Sequence, residues 1–267
     1  MNNLHRELAP VSSAAWQQIE EEVARTFKRS VAGRRVVDVE GPAGAELAAV
    51  GTGHRRVVAA PQKGIDARLR EVRVVVDLTV PFELQREAID GVERGANDSD
   101  WQPAKDAAKK LAYAEDQAIF DGYKAAGIVG IREGSSNNAL ALPANVGDYP
   151  EVIGNALEQL RLAGVDGPYS VLLGADAYTA LGGGSDEGYP VIGHIKRILN
   201  GEIIWAPAIN GGCVVSTRGG DFELHLGQDL SIGYQSHDDK VVRLYLYESL
   251  TFLMLTAEAS VAVVPGR

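Results

Sequence analysis

From Phe222 onward, apolar and polar positions alternate with a period of two. Phe222, Leu224 and Leu226 alternate with Glu223 and His225. After the break Gly227-Gln228-Asp229, further apolar runs cover 230–234, 241–247 and 251–256, with a polar turn at 236–239. Alternation bounded by Gly, Asp and Ser predicts half-buried antiparallel strands, and the short turns predict that sequence neighbours pair. Val72, Val74, Val76, Leu78 and Val80 predict one further strand over 72–80, ended by Pro81.

Elsewhere the period is helical. Trp16, Ile19, Val23, Phe27 and Val31 make one apolar stripe on a helix over 13–30, closed by Gly33. A short strand is expected over 36–39, stopped by Gly41-Pro42. A short helix is expected through Leu84, Ala88, Ile89 and Val92. The longest helix is expected over 100–126, with Ser99 and Gln102 as a capping box. Its apolar side is Ala104, Ala108, Leu111, Ala112, Ile119 and Tyr123.

From Arg132 the signals alternate. Helices are expected at 150–164, 175–181 and 190–201, and strands at 169–173, 203–205 and 213–216, which predicts a compact α/β unit over 132–217. Residues 43–70 fit none of this. They hold Gly44, Gly51, Gly53, Pro61 and Gly64 and too little apolar surface for a core of their own. A structureless segment this long is uncommon in a compact domain, so this arm is expected to be disordered or to pack on another chain.

Composition narrows the function. The 267 residues carry 26 Lys and Arg against 36 Asp and Glu, a net charge of −10. That argues against nucleic acid as a partner, because phosphates are bound by clustered cations. One cysteine, Cys213, excludes an internal disulfide and a Cys-based zinc site and fits a reducing compartment. The first residues have no apolar stretch of signal-peptide length, and no apolar run approaches a membrane span. The chain is expected to be soluble and cytoplasmic, with no membrane partner.

Candidate chemistry is sparse. His5, His54, His194, His225 and His237 show no metal-ligand spacing. Glu115-Asp116 would suit a di-iron helix only with a histidine three residues after the glutamate, and position 118 is Ala118. The pair therefore reads as a salt-bridged acidic helix surface. The loop GGGSDEG at 182–188 lacks the Lys-Ser/Thr ending of a phosphate loop, and its two acids would repel phosphate. Ser185 is no nucleophile elbow, since Glu187 stands where the second glycine belongs. No nucleophile–base pair can be assembled, and no enzymatic activity is expected.

Several stretches carry a resemblance: RGGDF and LGQDLSIGY, the later VRL, Glu248 and Thr251-Phe252, GRRVVDVEGPAG from Gly33, ERG at 93–95 and EDQAIFDG from Glu115. Together, in order and over nearly the whole chain, they resemble family 1 encapsulins, bacterial and archaeal shell proteins. The resemblance implies an α+β fold of the phage major-capsid (HK97-like) type. It implies an interior-facing N-terminal helix and strand over 1–42, an extended loop over 43–71 that clasps a neighbour, a peripheral domain with a spine helix over 72–131 and 218–267, and an axial domain over 132–217. It implies pentamers that close into an icosahedral shell of about sixty copies, around a cargo enzyme held by a C-terminal targeting peptide. A dye-decolourising peroxidase is the expected cargo.

Carried onto this sequence, the cargo groove is expected at Phe27, Val31, Arg34, Asp38, Leu230 and Ile232, and the five-fold pore at Gly184, Ser185, Asp186, Glu187 and Gly188. A flavin site described for some encapsulins uses an aromatic residue of the helix after Val80. FELQREAIDGVERG has no Trp or Tyr there, so no cofactor residue is assigned. The alternatives are a phage or prophage capsid protein, against which the acidic charge and LGQDLSIGY count, and a secreted bacteriocin-like protein or protease.

Overall fold

The computed structural model describes residues 3–186 and 188–266, and of residue 186 the backbone alone. Helix α1 (Ser13–Ser30) starts where the Ser12 hydroxyl accepts the Ala15 N–H at 3.2 Å, and its apolar stripe faces inward, with Ile19, Val23 and Phe27 buried. Val31 caps its end, and Gly33 opens a 3-10 turn (Gly33–Arg35) instead of closing the helix. A side chain at Gly33 would bring Cβ within 2.5 Å of Ile119 Cδ1 and 3.1 Å of Asp116 Oδ1, so glycine lets this turn lie against the helix below without displacing either side chain.

The chain continues through β1 (Asp38–Glu40), which starts two residues and ends one residue later than the strand expected over 36–39. Then come β2 (Ala49–Val58) and β3 (Ala67–Val74), which pair as an antiparallel hairpin with mostly exposed residues. The strand expected over 72–80 is two strands. It breaks at Val75 between β3 and β4 (Val76–Gln85), which belong to different sheets. Pro81 does not end β4, because β4 is bonded on one side alone, to a single strand, and a proline is tolerated at such an edge.

Helix α2 (Arg86–Glu93) leads to α3 (Gln102–Phe120). No capping box forms there. The Ser99 hydroxyl donates to the Ala88 carbonyl at 2.9 Å, and Asp100 Oδ1 accepts the Gln102 N–H at 2.9 Å. The helix stops at Phe120, six residues short of the expected end, and Tyr123 is exposed beyond it.

Next are β5 (Leu140–Leu142), α4 (Tyr149–Leu162), β6 (Tyr169–Leu173) and α5 (Ala175–Gly183). The two-residue strands β7 (Ser185–Asp186) and β8 (Tyr189–Pro190) precede α6 (Val191–Ile198), β9 (Ile203–Trp205) and β10 (Gly212–Ser216). The chain closes with β11 (Phe222–Leu226), β12 (Ser231–His237), β13 (Val241–Met254) and β14 (Ser260–Pro265).

Two five-stranded sheets organise these elements. The first runs β1-β11-β13-β12, with β4 on the other side of β13. The two strands expected at 241–247 and 251–256 are one continuous β13, long enough to pair β12 with its first half and β11 with its second. Hence β12 and β13 pair as sequence neighbours, whereas β11 and β12 do not. The second sheet runs β5-β14-β10-β6-β9, so Ser260–Pro265 leaves the first sheet and joins the second.

Two apolar cores follow. Helices α1 and α3 cover β4, β12 and the first half of β13. The second sheet, α4 to α6, the far end of α3 at Ile119 and Phe120, and β11 with the second half of β13 form the other.

Candidate functional site

The turn after α1 brings cations to the place where α3, β12 and β13 meet. Arg34 Nε donates to Glu115 Oε1 at 2.9 Å, and its Nη2 donates to Glu115 Oε2 at 2.7 Å and Asp229 Oδ1 at 2.9 Å. Nη2 also donates to Glu248. Glu115 and Glu248 are fully buried, so the acidic helix surface expected at Glu115-Asp116 is instead an interior ion cluster. The salt bridge is present and the surface is not. Burial of the Arg34 guanidinium works against its charge, but Glu115, Asp229 and Glu248 hold it firmly protonated. Burial, and then the neighbouring charge of Glu115, raises the Glu248 carboxyl well above its ordinary range.

Asp116 has a different task. Its Oδ1 accepts the Gly33 N–H at 2.7 Å and its Oδ2 the Ala32 N–H at 2.9 Å, satisfying two buried backbone donors. Burial raises its carboxyl from the ordinary 3.8 to about 7, against the pull of the Gly33 and Ala32 donors. The folded chain then holds a proton that the unfolded chain lacks between about pH 4 and 7. This group's stabilisation is full below about pH 4 and lost as pH rises through about 7. Asp238, held down at about 2 by the Lys240 and Val241 N–H groups and Arg243, loses its stabilisation only below about pH 4, outside that window. Thermal melts of wild type and Asp116→Asn over this range should differ in slope, the wild type gaining more on acidification. Parallel profiles would show that Asp116 titrates normally.

Beside the ion cluster lies an open groove of about 570 Å³, lined by Ala24, Phe27, Lys28, Val31, Arg34, Arg35, Asp229 and Leu230. Four of the six residues expected in the cargo groove therefore meet there: Phe27, Val31, Arg34 and Leu230. Ile232 is buried in the core behind, and Asp38 is elsewhere, its Oδ2 accepting the Gly220 N–H at 2.6 Å. Phe27 is only 4% exposed, under the Arg34 guanidinium at 5.0 Å from the ring centroid, so it is floor and core at once. Ala24 and Lys28 were not among the expected groove residues, although each sits three residues before one that was, Phe27 and Val31, on the same side of the helix.

Of the expected pore residues, Ser185, the Asp186 backbone and Gly188 lie on the β7–β8 hairpin, where Gly188 takes φ +84°, and Gly184 ends α5 just before it. Glu187 and the Asp186 side chain fall outside the described residues. Tyr189 of this hairpin is held by Arg197 Nη2, which donates to its hydroxyl at 2.9 Å, and by an edge contact with His194. Cys213 is buried, and burial pushes its thiol up to about 12. No helix among the described residues is long and apolar enough to cross a membrane.

A family model described as "Encapsulating protein for peroxidase" matches residues 1–251. A type 1 encapsulin shell protein of Rhodococcus erythropolis is 61% identical, covering 98% of this chain and 100% of that protein. The type 1 encapsulin shell protein of Mycobacterium tuberculosis is also 61% identical, with 98% and 99% covered. Among solved structures, a virus-like particle from Pyrococcus furiosus matches with a TM-score of 0.62 at 18% identity, over 92% of this chain and 98% of that one. The capsid of Myoviridae phage XM1 matches with a TM-score of 0.55 at 10% identity, over 86% and 90%. The structural likeness shows the phage-capsid-type fold expected from the sequence. The identity along nearly the whole chain shows more than the fold: this chain belongs to the encapsulin shell-protein family.

Proposed function

We propose that this shell-forming chain assembles into pentamers and closes as an icosahedral nanocompartment of about sixty copies, in the cytoplasm and without nucleic acid. It has no catalytic role of its own and encloses a cargo enzyme bearing a C-terminal targeting peptide. A dye-decolourising peroxidase fits the family's description as encapsulating peroxidase. The β7–β8 hairpin, with Gly184, Ser185, Asp186, Glu187 and Gly188, is the proposed pore rim. Acids repeated around an axis would concentrate cations there.

The groove beside Arg34 carries the cargo reading. Its floor is apolar, from Phe27, Val31 and Leu230, and its rim carries Lys28, Arg34 and Arg35. A disordered tail that loses chain entropy on docking needs a few buried apolar side chains, and modest affinity suffices when many sites act on one oligomeric cargo. Arg34 Nη1 has no protein partner among the described residues and is available to a peptide carbonyl or carboxylate.

Leu230, half-buried on the groove wall, is the residue to change. Leu230→Asp should leave shell formation intact and lower stability by no more than about 1 kcal/mol. It should cut co-purification of a co-expressed dye-decolourising peroxidase with its own C-terminal tail by about tenfold or more. Full peroxidase loading of Leu230→Asp shells would remove this groove as the docking site. Phe27→Ala is the poorer probe, because a buried ring leaves a cavity costing about 3–5 kcal/mol whether or not a peptide binds.

A further inference from the structure

The β2–β3 hairpin is the one large basic element of an acidic chain. Residues 49–74 hold six Lys and Arg and two Asp and Glu, a net +4, which leaves −14 on the remainder of the −10 chain. The register sorts these charges onto faces. Arg55 lies directly opposite Arg70, and Val57 opposite Arg68, so Arg55, Val57, Arg68, Arg70 and Val72 share one face. Val57 is 74% and Val72 49% exposed. Arg68 is paired to Asp66 at 3.0 Å, whereas Arg55 and Arg70 have no acidic partner among the described residues. Two arginines directly across a two-stranded ribbon repel, and such a ribbon is marginal alone. The face therefore calls for carboxylates and apolar contact from outside the hairpin.

The same chain offers that chemistry at α2. Residues 87–100 carry five exposed acids and one base. Glu87 is paired to Arg94, and Asp100 accepts the Gln102 N–H. Asp90, Glu93 and Asp98 have no cationic partner among the described residues. We propose that the apolar–basic face of the hairpin seats on the acidic α2 ridge of a second copy, so that charge drives this contact and salt weakens it. The inference rests on the reading of the chain as a shell subunit and assigns the two faces that meet.

A charge swap tests it. Arg55→Glu with Arg70→Glu, and separately Asp90→Lys with Glu93→Lys, should each raise the protein concentration at half-assembly by about tenfold or more, read by light scattering. Combining all four changes should restore assembly. Wild-type half-assembly should move to higher concentration between about 0.05 and 0.5 M salt, as screening shortens the reach of these charges. Wild-type assembly at either reversal overturns the proposal while the shell reading stands. Failure of the fourfold variant to assemble removes α2 as the seat. Should a reversal unfold the chain, Arg55→Gln with Arg70→Gln replaces it, and an unchanged salt dependence then overturns the proposal. If the wild type forms no shells at all, the shell reading itself falls.

Discussion

Arg34→Ala is expected to destabilise the fold by about 3–5 kcal/mol, because it leaves two buried carboxylates without their cation. Glu115 and Glu248 are both fully buried, and each is bound to the same guanidinium. Against a total stability of about 5–15 kcal/mol, that loss should cost most of the soluble protein. The cluster ties the turn after α1 to α3, to the loop before β12 and to the middle of β13. Arg34→Lys should recover only part of the loss, since one ammonium cannot reproduce the two-pronged bond to Glu115. Adding Glu248→Gln to Arg34→Ala should restore stability relative to Arg34→Ala alone, because Glu115 then faces a neutral amide that can donate to it instead of a second carboxyl. Urea unfolding of the three variants decides this. If Arg34→Ala unfolds like the wild type, the cluster does not hold the fold. Any loss of cargo in an Arg34 variant therefore has to be read against its stability.

Replacing residues 52–71 by a two-residue Asn-Gly turn should give a folded chain that does not form shells. The join leaves Gly51 opposite Val72, so the base of the hairpin stays paired. The removed residues are mostly exposed and belong to neither apolar core. Stability is expected to stay within about 1 kcal/mol of the wild type, as for a shortened surface loop. Sedimentation should show small species where the wild type gives shells. Intact shells from the shortened chain would show that the arm is dispensable for assembly.

Much of this was legible along the chain. The α1 stripe, β6, β9 and β11 lie where period and punctuation put them, because α1, β9 and β11 turn one face to a core and β6 is buried on both, and local pattern reports either case directly. The arm was also legible, as a segment too poor in apolar residues for a core. The groove was partly legible: the helix face with Phe27 and Val31 came from spacing, while Leu230 came with the encapsulin resemblance.

Other features were decided only by the tertiary structure. The apolar positions through 72–80 keep their period of two across the junction, and the one local departure, an apolar Val75 in the polar phase, does not say that the strand changes sheets there. The two runs at 241–247 and 251–256 are one strand because β13 is paired along its length by β4, β12 and β11. Glu115 and Asp116 look like a solvated helix face, since charged residues usually stay in water. Their burial depends on Arg34, 81 residues from Glu115, and on the backbone donors of Ala32 and Gly33. Hydrophobic periodicity determines which face of an element turns inward. Which distant charge waits there to neutralise a buried carboxylate depends on long-range chain placement, and that only the packed structure decides.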